Sequence, residues 1–476
     1  MFWDWFRWAS CQLDTLRRCI PSSLRKALNE LPTTLDDTYE RALEGIPREK
    51  RQHAHRLFQC LVVAIRPLRV EELAEIFAIR FDSETGPNLS EGWRPQNHEE
   101  AVLSACSSLI NITEDAGSKI VQFSHFSVKE SLTSGRLLVS EVGSIRQYHI
   151  PLDAAHTILA QACLTVLLQL DQNVDKKCLA TFPLAFYAAR HWIDHAKFED
   201  VAARVQDAME RLFNPQKPFL AAWAWICDVD RRRFQSSIDA LLERPSSPKA
   251  TALYYAALCG FSRLAKDYIV TRGEDVNTKC GYHGSPLHAA SYEGHLEVAD
   301  ILLAHGADVN MGNNDGKTPL VAAYVRRNFD VMRLLLEHGA VADVEYDEYG
   351  PISHDAAYMG SANVIELLLR YKADVNARGS ENWTPLHWAS REGEVETVRL
   401  LLEHGADVNA FSETDGTPLR LASQDGFGDA VRVLLGYGAD VHIRCRGDNP
   451  TALRVATSEG YGEIAQVLLD HGAKDD

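Results

Sequence analysis

Four short stretches carry residue types at spacings that could do chemistry. The first, MGNNDGKTPL (311–320), sets Gly316, Lys317 and Thr318 in a row with Gly312 upstream, like a phosphate-binding loop. Such a loop needs G-x-x-x-x-G-K-[ST] between a buried strand and a helix, so that main-chain N–H groups wrap the phosphates and Lys reaches them. Here only three residues separate Gly312 from Gly316, and Met311 stands where the first glycine belongs. The stretch also imitates a calcium loop, but Met311 replaces the first Asp and Ala322 the closing Glu. Neither nucleotide nor calcium is expected there.

GYGEIA (460–465) fits a G-x-G-x-x-A dinucleotide pattern, yet no strand precedes it. HWIDH places His191 and His195 four apart on one helical face, a spacing that could seat zinc. A metalloprotease needs Glu at the second position, where Trp192 stands, and no third ligand is evident. Structural histidines are the expectation. His288, His354 and His387 recur in one slot of a T-P-L-H pattern and are expected to bridge backbone between repeats. No G-x-S-x-G elbow, Cys/His signature or paired acid motif occurs. The chain is therefore expected to be no enzyme and to use no cofactor and no metal.

The elements that position these residues follow from length and pattern. At 476 residues the chain exceeds one ordinary core. Its 46% hydrophobic and 24% charged content is that of a folded protein. The net charge of -17 is uneven: residues 250–476 hold 19 Lys and Arg against 34 Asp and Glu. Such a surface repels phosphates, which argues against nucleic acid and anionic membranes and leaves basic protein surfaces as candidate partners. The ten cysteines include no C-x-x-C pair, so free thiols in a reducing compartment are expected. Asn88-Leu-Ser90 and Asn111-Ile-Thr113 match the glycosylation pattern without a secretory signal. No segment approaches the roughly 20 apolar residues of a membrane-spanning helix, and a cytoplasmic location is expected, the nucleus not being ruled out.

Residues 250–476 repeat at a period of 33 to 34 residues. Five strong copies begin at Ser285, Thr318, Thr384, Thr417 and Thr451, and two weaker ones at Thr251 and Pro351, making seven. Thr-Pro can cap and start a first helix, and the Gly of G-A-D can end a second. Such helix pairs bury their apolar stripes only against neighbours, as a one-dimensional stack. Repeat 4 departs most, with Ile352 and Ser353 for Pro-Leu and Lys372 for the helix-ending glycine. It is expected to be a soft or bent point.

Residues 6–250 read as mostly helical. Helices are expected at 31–46, 49–65 and 98–112, with a turn into another over 66–79, a loop at 83–97, a strand at 118–125 and a helix in FSVKESLTS. Helices followed by a short strand pair match a winged-helix plan. The helix HEEAVLSACSSLINI, which would read DNA, carries Glu99 and Glu100 and no Lys or Arg, so DNA binding is not expected.

The T-P-L-H…G-A-D-V-N pattern resembles the ankyrin repeat. FRWASCQLDTLRRC, LPTTLDDTYERAL, RPLRVEELAEIFAI, FSHFSVKESLTS and FYAARHWIDHAKF resemble the segment that follows the nucleotide-binding core in fungal NACHT-type signalling ATPases with C-terminal ankyrin arrays. Ser131 stands where that family usually has tyrosine. The resemblance implies a mostly α chain: a remnant of the core's helical region at 1–47, a winged-helix-like domain at 48–150, a helical linker at 151–249 and seven ankyrin repeats at 250–476. In that family nucleotide binding upstream switches the protein between closed and open oligomers, and the repeats sense a partner. What it implies here is a sensor and scaffold half whose motor is absent, with self-association only if the missing core is present; the alternative is the sensor half of an NTP-dependent switch.

Ankyrin arrays engage partners through hairpin tips and the concave face of the first helices. In register the tips include Tyr282, Tyr346, Trp383, Phe411 and Arg444, and the concave positions Tyr292, Arg326, Tyr358, Met359, Arg391 and Gln424. Exposed aromatic and Arg side chains are common binding anchors; Trp383 above all could instead pack against the neighbouring repeat.

Overall fold

The computed structural model describes residues 34–83, 86–106, 108–140, 142–170, 174–227, 250–347, 350–444 and 451–474. The expectations for 1–33 and 228–249 lie outside the described residues. The chain is mostly helical and divides into two compact units, Met1–Pro248 and Lys249–Asp476.

In the first unit the helix Leu35–Glu44 starts at Thr34, whose hydroxyl accepts the Asp37 N–H while the Asp37 carboxylate accepts the Thr34 N–H. This reciprocal cap is what the Thr/Asp-rich start encodes. The helix Arg51–Val63 leads through β1 (Leu68–Arg69) into the helix Val70–Phe77. Residues 83–97 are not all loop, because β2 (Ile79–Arg80) pairs antiparallel with β3 (Asn88–Leu89). The helix expected over 98–112 stops at Cys106, and Ile110–Asp115 forms strand β4. Two sequence features explain the correction. Ile110, Asn111, Ile112 and Thr113 alternate with period two. Ala116 and Gly117, at φ 47 and 79, make the tight turn into β5 (Ser118–Phe123) that matches strand twist. The sheet order is β1-β5-β4, with Val121 facing Leu68 on one side and Ile112 on the other.

Two buried carboxylates tie this unit together. Glu72 accepts from the guanidinium groups of Arg66 and Arg69 and from the Arg69 N–H. Glu75 accepts from Arg94 and from the Leu184 N–H, both at 2.7 Å. The Ile65 N–H donates to the Tyr187 hydroxyl at 3.2 Å. These bonds link the segments on either side of residue 150 into a common core. The helices Leu152–Leu167, Ala185–Ala196, Glu199–Phe213 and Phe219–Ile226 complete that core. Trp192, Phe213 and Trp223 pack edge to face and tilted, and the Trp223 indole N–H donates to the Ala189 carbonyl at 2.9 Å.

The second unit is seven helix pairs. First helices start at Ala252, Pro286, Pro319, Ile352, Pro385, Pro418 and Ala452; their partners start at Ser262, Leu296, Phe329, Ala362, Val395, Gly428 and Gly462. The Thr or Ser before the first helix caps it in every repeat but the fourth, where Pro351 supplies no side-chain acceptor. Lys372 takes the helix-ending position at φ 67, the left-handed region that glycine occupies in the five strong copies.

A side-chain ladder joins successive hairpins. Asn277, Asn310, Asn376 and Asn409 accept the N–H of Asp308, Val341, Asp407 and Asp440 at 2.8 to 3.0 Å, and Asp343 accepts that of Asp374. The recurrent Asn of G-A-D-V-N thus ties each hairpin to the next through a main-chain donor.

The stack is loosest between repeats 3 and 4, where both helix layers pack less closely than at every other junction. One residue stands out at that junction. Ala257, Ser291, Ala357, Ser390, Ser423 and Thr457 form a column of small side chains in the first helices, and repeat 3 places Tyr324 in that column. Its ring is buried at the boundary between the two repeats. The soft point expected of repeat 4 therefore sits at its boundary with repeat 3.

Candidate partner-binding surface

The chemical look-alikes resolve first. In MGNNDGKTPL the Asn313 carboxamide accepts the N–H of Asp315 and of Lys317, both at 2.9 Å, and Gly316 turns at φ 76. Two of the donors a phosphate would need are thus spent inside the hairpin. The Lys317 ammonium lies 5.5 Å from the centre of the Tyr346 ring, and Thr318 caps the next helix. GYGEIA joins the two helices of repeat 7.

His195 is fully buried, with Nδ1 3.0 Å from Nδ1 of His156 and Nε2 2.9 Å from the Tyr187 hydroxyl. Burial pushes its pKa down to about 3, with His156 adding to the effect. His191 bonds Asp194 instead. Among the described residues no three His, Cys, Asp or Glu groups are placed to hold a metal ion. Cys60 is buried, and burial pushes its thiol up to about 12.

Two of the three recurrent histidines bridge repeats, whereas both ring nitrogens of the buried His288 are without a hydrogen-bond partner among the described residues. His354 Nε2 donates to the Trp383 carbonyl at 3.0 Å and His387 Nε2 to the Gly416 carbonyl at 3.2 Å. His387 Nδ1 accepts the Thr384 N–H, which fixes the neutral Nε2–H tautomer. Burial lowers the pKa of His387, and of His288, to about 4.

The expected recognition residues separate into three groups. Tyr282, Arg326, Tyr358, Met359, Arg391 and Arg444 are exposed. Tyr292, Tyr346, Phe411 and Gln424 are half-buried. Trp383 is buried at 5% exposure: its indole N–H donates to Asp415 at 3.2 Å and its ring lies 4.5 Å from that of Trp388. Trp383 is thus a packing residue, and the half-buried Trp388 packs beside it, a residue that the hairpin-tip register overlooked. Trp388 directly follows His387, and a bulky aromatic at a site held by Ala289 and Ala322 in other repeats was the available signal.

These side chains touch across repeats. The Arg326 guanidinium lies over the Tyr292 ring at 5.0 Å, and that of Arg391 lies 5.5 Å from Trp383 and 6.0 Å from Trp388. Tyr358 packs edge to face on Trp388 at 5.8 Å. Tyr324 meets Tyr346 at 5.4 Å and donates its hydroxyl proton to Asp355 at 2.5 Å. Burial and this carboxylate push the Tyr324 pKa upward. Asp355 and Tyr358 stand three apart on one helix and share a face, so the two clusters form one surface along repeats 3 to 5.

Residues 231–313, 253–348, 308–379 and 350–412 match a family model described as Ankyrin repeats (3 copies). A curated Monascus ruber protein, the azaphilone pigments biosynthesis cluster protein L, is 32% identical over 304 residues, 61% of this chain and 62% of that protein. The chain thus spans less than two thirds of that relative's length. The human ASB11 ankyrin repeat domain is 29% identical, covering 48% of this chain and 100% of its own, with a TM-score of 0.40. The ankyrin repeat domain of Bcl-3 is 27% identical, covering 46% and 98%, with a TM-score of 0.41. Among the described residues no helix is long and apolar enough to cross a membrane.

Proposed function

We propose that this ankyrin-repeat protein is a non-enzymatic sensor and scaffold whose array binds a protein partner along the first helices. Ankyrin repeats are generally protein-binding modules. The observation that carries the reading is the row of exposed Arg326, Tyr358, Met359 and Arg391 at successive first-helix ends. Flat aromatic and guanidinium surface with few rotamers to freeze is the usual material of binding hot spots. A pull-down with the full chain tests it, beside a full-chain variant carrying Arg326→Glu and Met359→Glu. A protein held by the native chain and released by the variant supports the reading. Equal retention by both, or none, overturns it.

A second reading makes this chain the sensor half of an NTP-dependent switch of the NACHT type. Its support is the order of elements in the first unit: helix 51–63, β1, helix 70–77, helix 98–106, then the β4–β5 hairpin, with β5 between β1 and β4. That is the order of a winged helix, the element that couples such a motor to its sensor. Sequencing the transcript upstream of the Met1 codon tests it. An in-frame G-x-x-x-x-G-K-[ST] would move the function to a regulated NTPase, and an in-frame stop without one would remove the reading.

A further inference from the structure

We propose that the opened junction of repeats 3 and 4 is the docking site for a basic segment of the partner protein, with cationic side chains flanking an apolar or aromatic anchor. The proposal rests on the reading that the array binds protein, and it names where and what chemistry.

The apolar part of the site is Val325, Tyr358 and Met359, at 49%, 43% and 56% exposure. Val325 and Tyr358 hold the same position of successive first helices, with Met359 beside them. In the other repeats the same two positions hold Leu258 and Cys259, both buried, the half-buried Tyr292 with Glu293, and then Arg391 and Glu392, Gln424 and Asp425, and Ser458 and Glu459, so none of them exposes a large apolar side chain. Apolar surface left in water at the one junction that fails to close marks a place where association recovers hydrophobic free energy.

The charge of the site is negative and positioned. Asp355 accepts from the Tyr324 hydroxyl, a neutral donor, which sets its orientation. Glu345 and Asp347 lie exposed on the β6 strand (Glu345–Asp347), which pairs with β7 (Gly350–Pro351) beside it. Glu381, in the next hairpin, is likewise held by a hydroxyl, that of Thr414, at 2.8 Å. Of the nearby cations, Lys317 lies over Tyr346, Arg326 over Tyr292, Arg391 beside Trp383 and Trp388, and Arg420 on the Asp415 carbonyl, while Arg327 is exposed close to Tyr324. A lysine or arginine arriving from a partner would meet preset carboxylates at charge-assisted hydrogen-bond range and an aromatic face beside them. The 34 acidic against 19 basic residues of 250–476 would steer such a segment in and turn an acidic one away.

Panning a random dodecapeptide library against the immobilised full chain tests the site. Two variants serve as comparators: Tyr358→Ala/Met359→Ala, and Glu345→Gln/Asp347→Asn. Their thermal unfolding is checked against the native chain first. Recovered peptides are expected to carry net positive charge and an aromatic or aliphatic anchor. Their affinity should fall at least about tenfold for either variant and weaken as salt rises. Peptides that are acidic or uncharged, or that bind both variants as well as the native chain, overturn the proposal. If such peptides instead lose binding to Arg326→Glu, the array still binds protein and only the site and its chemistry are wrong. If no peptide is recovered and the pull-down retains nothing, both readings fall together.

Discussion

The Tyr324 hydroxyl of repeat 3 donates to the Asp355 carboxylate of repeat 4 across 2.5 Å, at the one junction where neighbouring helix pairs stand apart. A phenol occupies a column otherwise made of Ala, Ser and Thr, and its bond replaces the close helix contact that the others make. Tyr324→Phe keeps the ring and removes the bond to an ionised acceptor. It should destabilise the chain by about 1.5–3 kcal/mol, read as a lowered midpoint in urea unfolding. Tyr324→Ser restores the small-residue column, so it should be less harmful than a buried aromatic truncation elsewhere, such as Trp223→Ala. If Tyr324→Phe leaves the midpoint unchanged, the bond contributes nothing.

His387 and His288 titrate near 4 when folded and near 6.5 when unfolded, because burial disfavours the imidazolium. A folded pKa below the unfolded one gives stability that is complete above about 6.5 and is lost as pH falls towards about 4. The melting temperature of the chain should therefore drop across that window. A His387→Leu chain should be less stable at pH 7, since the Gly416 carbonyl loses its donor, and its melting temperature should depend less on pH. A parallel pH profile for the two chains would contradict the assignment.

Left-handed backbone sorts the substitutions of helix ends. Lys372 sits at φ 67, and Lys372→Gly should stabilise the chain by about 0.5–1 kcal/mol. At Gly393 (φ 71) an added methyl would lie 2.3 Å from the Phe427 ring, whereas at Gly306 (φ 87) it would meet open space. Gly393→Ala should thus cost clearly more than Gly306→Ala, as measured by chemical denaturation. Equal costs would show that backbone strain alone matters at both.

Glu75 is buried and serves Arg94 and the Leu184 N–H together. Glu75→Ala strands both donors and should cost about 3–5 kcal/mol. Burial holds its carboxyl above the usual range despite those two bonds. Circular dichroism of the variant should show loss of the first unit's helices at a lower temperature. Glu75→Gln, able to accept from Leu184 still, should lose less.

Much of the fold was legible because its determinants are local. The 33-residue period, the Thr-Pro starts, the glycine stops and the odd Lys372 all act within a turn or two of helix. Each stands in the structure where the spacing places it. The β4 strand was less legible because Ile110–Asp115 follows a helix directly, and its identity depends on pairing with β5 and on the turn at Ala116 and Gly117. The surface was legible only in part. Arg326, Tyr358, Met359 and Arg391 are exposed as the register suggested, while Trp383 faces inward and packs on the half-buried Trp388.

The sequence by itself determined that residues 250–476 stack as seven helix pairs, since periodicity, caps and stops need no distant partner. Tertiary structure decided which aromatic faces water and where the stack opens. Those outcomes depend on the side chain that meets each residue from the next repeat, about 30 positions along the chain. Trp383 finds Asp415 and is buried; Tyr324 finds Asp355 at the boundary between two repeats.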